Sequence, residues 1–299
     1  MRGLTGMFGR ITLRAGAKVN LSLDVLGRRP DGYHDIVSVF QATALRDTLI
    51  LRKTAKPGIR LVTDDAGLPD GQGNIVWRAM ERMLRKTASE QACGLACELR
   101  KSIPVSAGLG GGSADCAAAL TGAARLLGAD VSALPRIGAE LGADVPFFFV
   151  GGTALVTGVG ADVSALPDIP PCFLVVVKPP FAVSTAEAFA LLDGAKIRNR
   201  PDTERLLAGI RAGDVREVCR GMGNALESVT AARFPVIGEL KAKLMERGAM
   251  GASMSGSGPS VFGVFADGAS ARAAAREISR EYPGWNDIFV ERTARSAIL

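Results

Sequence analysis

The chain is 299 residues long, 47% hydrophobic and 22% charged, the composition of a globular protein, and two modest domains are expected from that length. Its 36 Lys and Arg against 30 Asp and Glu give a formal net charge of +6. No run of five or six like charges occurs, so the excess points at least as well to a small anionic ligand as to a nucleic acid. A single histidine, His34, excludes a multi-histidine metal site, and five cysteines without a C-x-x-C pair read as buried thiols of a reducing cytosol.

The N-terminus, "MRGLTGMFGRITLRAG", places Arg and Gly where a signal peptide needs an apolar core, and reads as a short extension or a first strand. Residues 10–26 alternate as a strand does, through Ile11 and Leu13 and then Val19, Leu21, Leu23 and Val25. "GRRPDGYHD" (27–35) is turn chemistry, and "HDIVSVFQATALRDTLILRK" reads as one or two further strands. Asn74 is placed to cap a helix from Ile75 to about Ala88. "GLACELRKSIP" (94–104) is a strand, followed by the loop "PVSAGLGGGSA" and a helix from about Ser113, its expected cap, to Leu127. A short helix is expected near 133–141. "VPFFFVGGTALVTGVG" (145–160) reads as strand, turn, strand; it is broken by glycines and shorter than the roughly 20 residues of a membrane span. A soluble, cytoplasmic protein is therefore expected.

"SALPDIPP" (164–171) is the best linker, which divides the chain into domains 1–163 and 164–299. Beyond it come a buried strand, "CFLVVVKPP", helices near 184–193, 202–211, 214–228 and 235–247, a strand in "PSVFGVFAD", a helix at 268–281 and a strand at 287–292. Strands and helices mix without strict alternation, so the fold class is α+β.

Glycines at 108, 110, 111 and 112, just before a helix, can turn backbone N–H groups inward on an anion, and the helix adds its own free N–H groups and positive dipole end. The Walker pattern is absent, since no lysine lies between Gly108 and Arg125. G-x-G-x-x-G fails at Ser113, and the protein-kinase loop fails because a helix follows. Lys18, in an apolar strand, needs a partner, because burying an unpaired ammonium is costly. Asp144 follows a helix stop and precedes Val-Pro.

The pattern P-x-x-x-G-L-G-G-G-S-A resembles the phosphate loop of the GHMP kinases, small-molecule kinases that use ATP. "AGAKVNLSLDVLGRRPDGYHDIVSVFQ" (15–41) is similar to the N-terminal signature of one branch of that family, "GASMSGSGPSVFGVF" (251–265) to its third motif, and "LGADVPFFF" and "VVVKPPFAVSTAEAF" extend the likeness along nearly the whole chain. That branch phosphorylates the 2-hydroxyl of 4-diphosphocytidyl-2-C-methyl-D-erythritol, in the non-mevalonate route to isoprenoid precursors. One departure stands out: the branch usually carries Pro where this chain has Gly16, which would loosen the strand entering the site.

The resemblance implies a ribosomal-protein-S5-like ATP domain followed by a ferredoxin-like substrate domain. It implies Lys18 and Asp144 as catalytic residues, Asp144 being the base. Pro104, Val105, Ser106, Ala107, Gly108, Leu109, Gly110, Gly111, Gly112, Ser113 and Ala114 would cradle the ATP phosphates, with Asn74 and Lys101 near adenine. Mg²⁺ would bridge the phosphates, with Ser113 its best protein ligand. Asn20, Tyr33, His34, Thr185 and Phe189 would bind substrate, cytosine lying between Tyr33 and Phe189 with His34 on its edge and Thr185 reaching substrate or Asp144. The residues at 255–258 would line the cleft beside the phosphate loop. The partner implied is thus a cytidyl diphosphate, with no nucleic acid, membrane or obligate protein partner. Another GHMP activity, on homoserine or mevalonate, is disfavoured by the Tyr33–His34 turn, since those substrates carry no base. A catalytically silent nucleotide-binding protein is disfavoured by the presence of Lys18 and Asp144.

Overall fold

Two long antiparallel strands, β1 (Arg10–Arg28) and β2 (His34–Thr54), run through the first half of the computed structural model, which describes residues 9–299. Residues 1–8, most of the expected N-terminal extension, lie outside the described residues. At 19 and 21 residues these strands far exceed the usual span of about 3–10, and the register slips between Gly16 and Lys18, Asn20 and Ser22, and Val25 and Gly27. The slips flank Lys18 and Asn20, the two polar side chains that the strand must aim. Residues 34–53, expected as one or two strands, form one, because β2 is paired along both edges: β1 on one side, and β5 (Thr153–Gly158) and β4 (Gly94–Arg100) in succession on the other. β3 (Gly58–Thr63), which the sequence reading did not anticipate, lies parallel to β4, and β6 (Asp162–Ala165) extends β5.

Four helices pack on this sheet: α1 (Ile75–Lys86), α2 (Gly111–Leu127), α3 (Leu134–Leu141) and α4 (Phe147–Val150). α1 starts at the expected cap, with Asn74 Oδ1 accepting from the N–H of Val76 at 2.9 Å. α2 starts two residues earlier than expected. Its N-cap is Gly110, with φ 72° and no side-chain cap, so Ser113 is not the cap and lies inside the first turn. Residues 147–150, expected as strand, are the short helix α4, because Pro146 sets helical dihedrals at its start and Gly151 (φ 69°) turns the chain before β5.

The second half builds a separate antiparallel sheet in the order β11-β7-β10-β9 from β7 (Phe173–Val177), β9 (Gly251–Met254), β10 (Val261–Phe265) and β11 (Ile288–Arg292). Its helices are α5 (Thr185–Leu192), α6 (Thr203–Ala212), α7 (Val215–Gly221), α8 (Glu227–Arg233), α9 (Val236–Glu246) and α10 (Gly268–Glu281). The helical pattern read over 214–228 is broken after α7. There β8 (Gly223–Asn224) leaves for the other sheet and pairs parallel to Ser22 and Leu23 of β1. Buried Asn224 fixes that excursion: its Nδ2 donates to the carbonyls of Met254 and Gly256, both at 2.8 Å, and its Oδ1 accepts from the N–H of Leu226.

The two halves are interlocked. Besides β8, the segment 297–299 pairs with β1, with the N–H of Gly16 donating to the carbonyl of Ala297 at 2.6 Å and that of Arg14 to Leu299 at 2.8 Å. Gly16 thus gives β1 an N–H tie to the C-terminal segment at the point where its register with β2 slips. A proline there would lack the N–H that ties β1 to the C-terminal segment, and even a Cβ would sit 3.0 Å from the Ala297 carbonyl. Three apolar clusters fill the molecule: one under the first sheet, one under the second, and one between them that joins Val19, Leu21 and Val39 to Leu174, Ile210 and Phe262. All five cysteines are buried and free, and burial pushes the thiols of Cys97, Cys116 and Cys219 up to about 12, which leaves them unreactive. No helix among the described residues is long and apolar enough to cross a membrane.

Candidate active site

One cleft of ≈ 1030 Å³ runs between the halves, and the loop 104–110, the strand β1 and the helix α5 all open onto it. The loop's backbone is set by three left-handed residues, Ser106 (φ 53°), Gly108 (φ 75°) and Gly110 (φ 72°). A Cβ on Gly108 would lie 2.1 Å from the carbonyl oxygen of Ser255, and one on Gly110 would strike Phe148 at 2.8 Å and the Lys18 side chain at 3.0 Å. Only glycine allows both the turn and the close approach. Ser255 closes the contact from the second half, its Oγ donating to the carbonyl of Gly108 at 2.9 Å. With no side-chain cap, the first N–H groups of α2 stay free at the cleft, aligned with the positive end of the helix dipole. That free set ends at Ser113: the N–H of Ala114 already donates to the Gly110 carbonyl, and Ala114 is packed in the core rather than in the cleft lining.

Beside the loop, Lys18 is held on β1 with only 3% of its surface exposed. Its Nζ donates to Asn20 Oδ1 at 2.6 Å, lies 3.5 Å from Asp144 Oδ2 and sits 4.4 Å above the Phe40 ring. Burial pulls the Lys18 ammonium below its usual range, and the charge and hydrogen bond of Asp144 oppose that fall. Asp144 comes from the turn between α3 and α4 and is one-third exposed, towards the cleft. Asn20 is itself fixed, its Nδ2 donating to Ser38 Oγ at 3.0 Å and its N–H to Ser255 Oγ at 3.3 Å. Lys18 and its partner Asp144 therefore sit beside a hydrogen-bonded floor contributed by β1, β2 and the 255–258 loop.

At the far end, Tyr33 and His34 stand on the turn between β1 and β2. Tyr33 is 65% exposed. His34 stacks on Phe189 of α5, with ring centroids 4.9 Å apart and planes at 29°, and its Nε2 meets Asp193 Oδ1 at 2.7 Å. Thr185, the first residue of α5, shares a hydrogen bond with Ser257 Oγ at 2.9 Å and makes none with Asp144. Asn74 and Lys101 reach the cleft too, each with a structural partner: Asn74 caps α1, and Lys101 Nζ bridges Asp47 (2.5 Å) and Asp115 (2.8 Å). Burial works to lower Lys101, but the two carboxylates outweigh it and hold the ammonium above its usual range. Asp115 is pushed up to about 8, by burial first and by the like charge of Asp47, against the pull of Lys101.

The structure thus brings every proposed site residue except the Ala114 side chain to one cleft. Sequence reasoning missed Asp47, Asp115, Phe40, Ser38 and Asp193. Asp115, the residue that directly follows the glycine-rich motif, is the one with a local signal.

Residues 74–152 match the model of the GHMP kinases N terminal domain, and residues 206–284 that of the GHMP kinases C terminal. The chain is 46% identical over 272 residues to a 4-diphosphocytidyl-2-C-methyl-D-erythritol kinase of Pelotomaculum thermopropionicum, covering 90% of this chain and 94% of that one. Among solved structures, it superposes on a 4-(cytidine 5'-diphospho)-2C-methyl-D-erythritol kinase with a TM-score of 0.79 and 32% identity, over 95% of this chain and 100% of the other. A homoserine kinase from Cytophaga hutchinsonii shares the fold at a TM-score of 0.78 and 24% identity, over 100% of this chain and 99% of that one. A sequence that carries both halves of the family pattern, and that keeps close to half its residues in common with such a kinase along 90% of its length, belongs to the GHMP kinase family.

Proposed function

We propose that this protein transfers the γ-phosphoryl group of ATP to the 2-hydroxyl of 4-diphosphocytidyl-2-C-methyl-D-erythritol, a step of the non-mevalonate route to isoprenoid precursors. The observation that carries the reading is the order of parts along one cleft: an anion cradle, then a buried Lys18 beside Asp144, then the Tyr33–His34 turn facing Phe189. ATP phosphates fit the cradle because its donors are backbone N–H groups already fixed by Gly108 and Gly110. The base of the acceptor fits the aromatic end, where stacking on one ring is worth roughly 1–3 kcal/mol.

The substrate hydroxyl oxygen attacks the γ-phosphorus, its bond to the β-bridging oxygen breaks, and ADP leaves. Asp144 accepts the hydroxyl proton, a contribution of about 10²–10⁴-fold in rate. Lys18, charged and held by Asn20 and Asp144, steadies the negative charge on the transferring group. Mg²⁺ on the ATP phosphates would neutralise charge. No group of three or more acidic, histidine or cysteine side chains exists among the described residues to cage a metal, which suits an ion held mostly by phosphate oxygens and water, with the Ser113 hydroxyl at the cleft as its protein ligand. The boundary read at 163/164 would cut β6 (Asp162–Ala165), which pairs with β5, so we infer a first unit that runs to the end of β6 and carries the cradle, with α5 in the second.

The test is ADP release by purified protein supplied with Mg-ATP and, in parallel, the cytidyl substrate, homoserine and mevalonate. Turnover only with the cytidyl compound is expected. No ADP with it sinks the reading, and preference for either small acid moves the chain to another activity of the family.

A further inference from the structure

The turn that carries His34 is tied to the second half of the chain by one carboxylate. Asp193, at the C-terminal end of α5, places Oδ1 2.7 Å from His34 Nε2 and Oδ2 3.4 Å from Arg28 Nη1. The His34 side chain is only 9% exposed, and Phe189 of the same helix covers its face. Face and edge of the ring are thus both fixed by α5. An ionised carboxylate only accepts hydrogen bonds, so the hydrogen of the neutral imidazole sits on Nε2 and Nδ1 keeps a lone pair. Nδ1 makes no hydrogen bond among the described residues, and the ring lines the cleft.

We propose that Asp193 is a positioning residue that sets base selectivity: by holding His34 with Nδ1 as an acceptor, it favours a pyrimidine with an exocyclic amine over one with a carbonyl at that position. This rests on the reading of the cleft as the site of a cytidyl-substrate kinase. The amine of cytosine donates to Nδ1. The carbonyl of uracil would set lone pair against lone pair and leave both acceptors unpaired, the kind of mismatch by which polar sites discriminate strongly. Arg28 stands 3.4 Å from the second oxygen, on the side away from the ring contact.

The experiment compares wild type and Asp193→Ala on the cytidyl substrate and its uridyl analogue, with KM for ATP and the melting temperature measured alongside. Wild type is expected to favour the cytidyl compound by about 10²-fold or more in kcat/KM. In the variant that ratio falls at least about tenfold, through KM for the cytidyl compound, while KM for ATP and the melting temperature hold. Because His34 is the only histidine, its ring nitrogen NMR signals report its tautomer directly. At a pH where the ring is neutral, wild type should show Nε2–H alone and the variant a mixture. An unchanged cytidyl-to-uridyl ratio in the variant, or an Nδ1–H ring in wild type, overturns the proposal and leaves the kinase reading standing. If wild type turns over neither compound, the kinase reading falls and takes the proposal with it.

Discussion

Lys18 and Asp144 show how a buried charge is made usable. Burial pulls the Lys18 ammonium below its usual range, and Asp144 is the group that opposes that fall. Asp144→Asn removes both the proposed base and that support. Turnover should fall by about 10²–10⁴-fold with the KM for ATP nearly unmoved. The alkaline limb of the residual activity should move to lower pH, since Lys18 then loses its proton more easily. Steady-state kinetics across pH check both, and a collapse of ATP binding would instead make Asp144 a structural or metal-binding group. The residues of this site were legible because their types are scarce or out of place: a lone histidine, one of two tyrosines, a lysine in an apolar strand. Their partners were not. Asp193 lies 159 positions from His34, and nothing local marks it as the group that meets that ring.

The loop and α2 form the element on which the site turns, and their geometry is set by contacts on both sides. Gly108→Ala puts a methyl group 2.1 Å from the Ser255 carbonyl in a backbone region closed to most side chains, so the 255–258 loop must move off the cradle. A fall of about 10²-fold in kcat/KM for ATP is expected, with a lower melting temperature. Gly112→Ala, which meets only Ile75 at 4.0 Å, should leave the melting temperature where it is. α2 is also tied down by Lys101 between Asp47 and Asp115, and that cluster has a pH signature. The Asp115 carboxyl binds its proton far more tightly folded (about 8) than unfolded (3.8). Its contribution to stability is therefore complete below the unfolded value and is lost as pH rises towards the folded one. Asp115→Asn keeps an acceptor for Lys101 without the charge. Its melting temperature should gain on wild type by about 2–4 °C as pH rises from about 4 to about 8. Parallel pH profiles of the two proteins would refute this account. The start of α2 was misread at Ser113 for a physical reason: a serine there usually marks a cap, but a side-chain cap would occupy the N–H groups that the cleft leaves free.

At the scale of the whole molecule, the sequence reading found most helices and strands but drew the seam between the halves too cleanly. Long periodic elements such as α1, α10 and β7 declare themselves through caps and apolar runs. β8, two residues long, has no period to read and is set by the buried amide of Asn224. The pairing of 297–299 with β1 is equally silent in the sequence, because it runs through backbone groups, with only the distant Arg46 guanidinium donating to the carbonyls of Ser296 and Ala297. These crossings, with the apolar cluster shared between the sheets, mean that neither half keeps its own core when the other unfolds. A cut after β6 would expose Val19, Leu21 and Val39 and take from β1 its pairing with β8 and with 297–299, leaving only β2 beside it. The chain should therefore unfold in one transition despite its two sheets. The two tryptophans allow a direct check, since Trp77 packs on the first core and Trp285 on the second. In Trp77→Phe and Trp285→Phe variants of matched stability, denaturant titrations of the remaining tryptophan should share one midpoint and one slope. Two separated midpoints would mean that the halves fold independently, and the interlock would then be a set of contacts without cooperative weight.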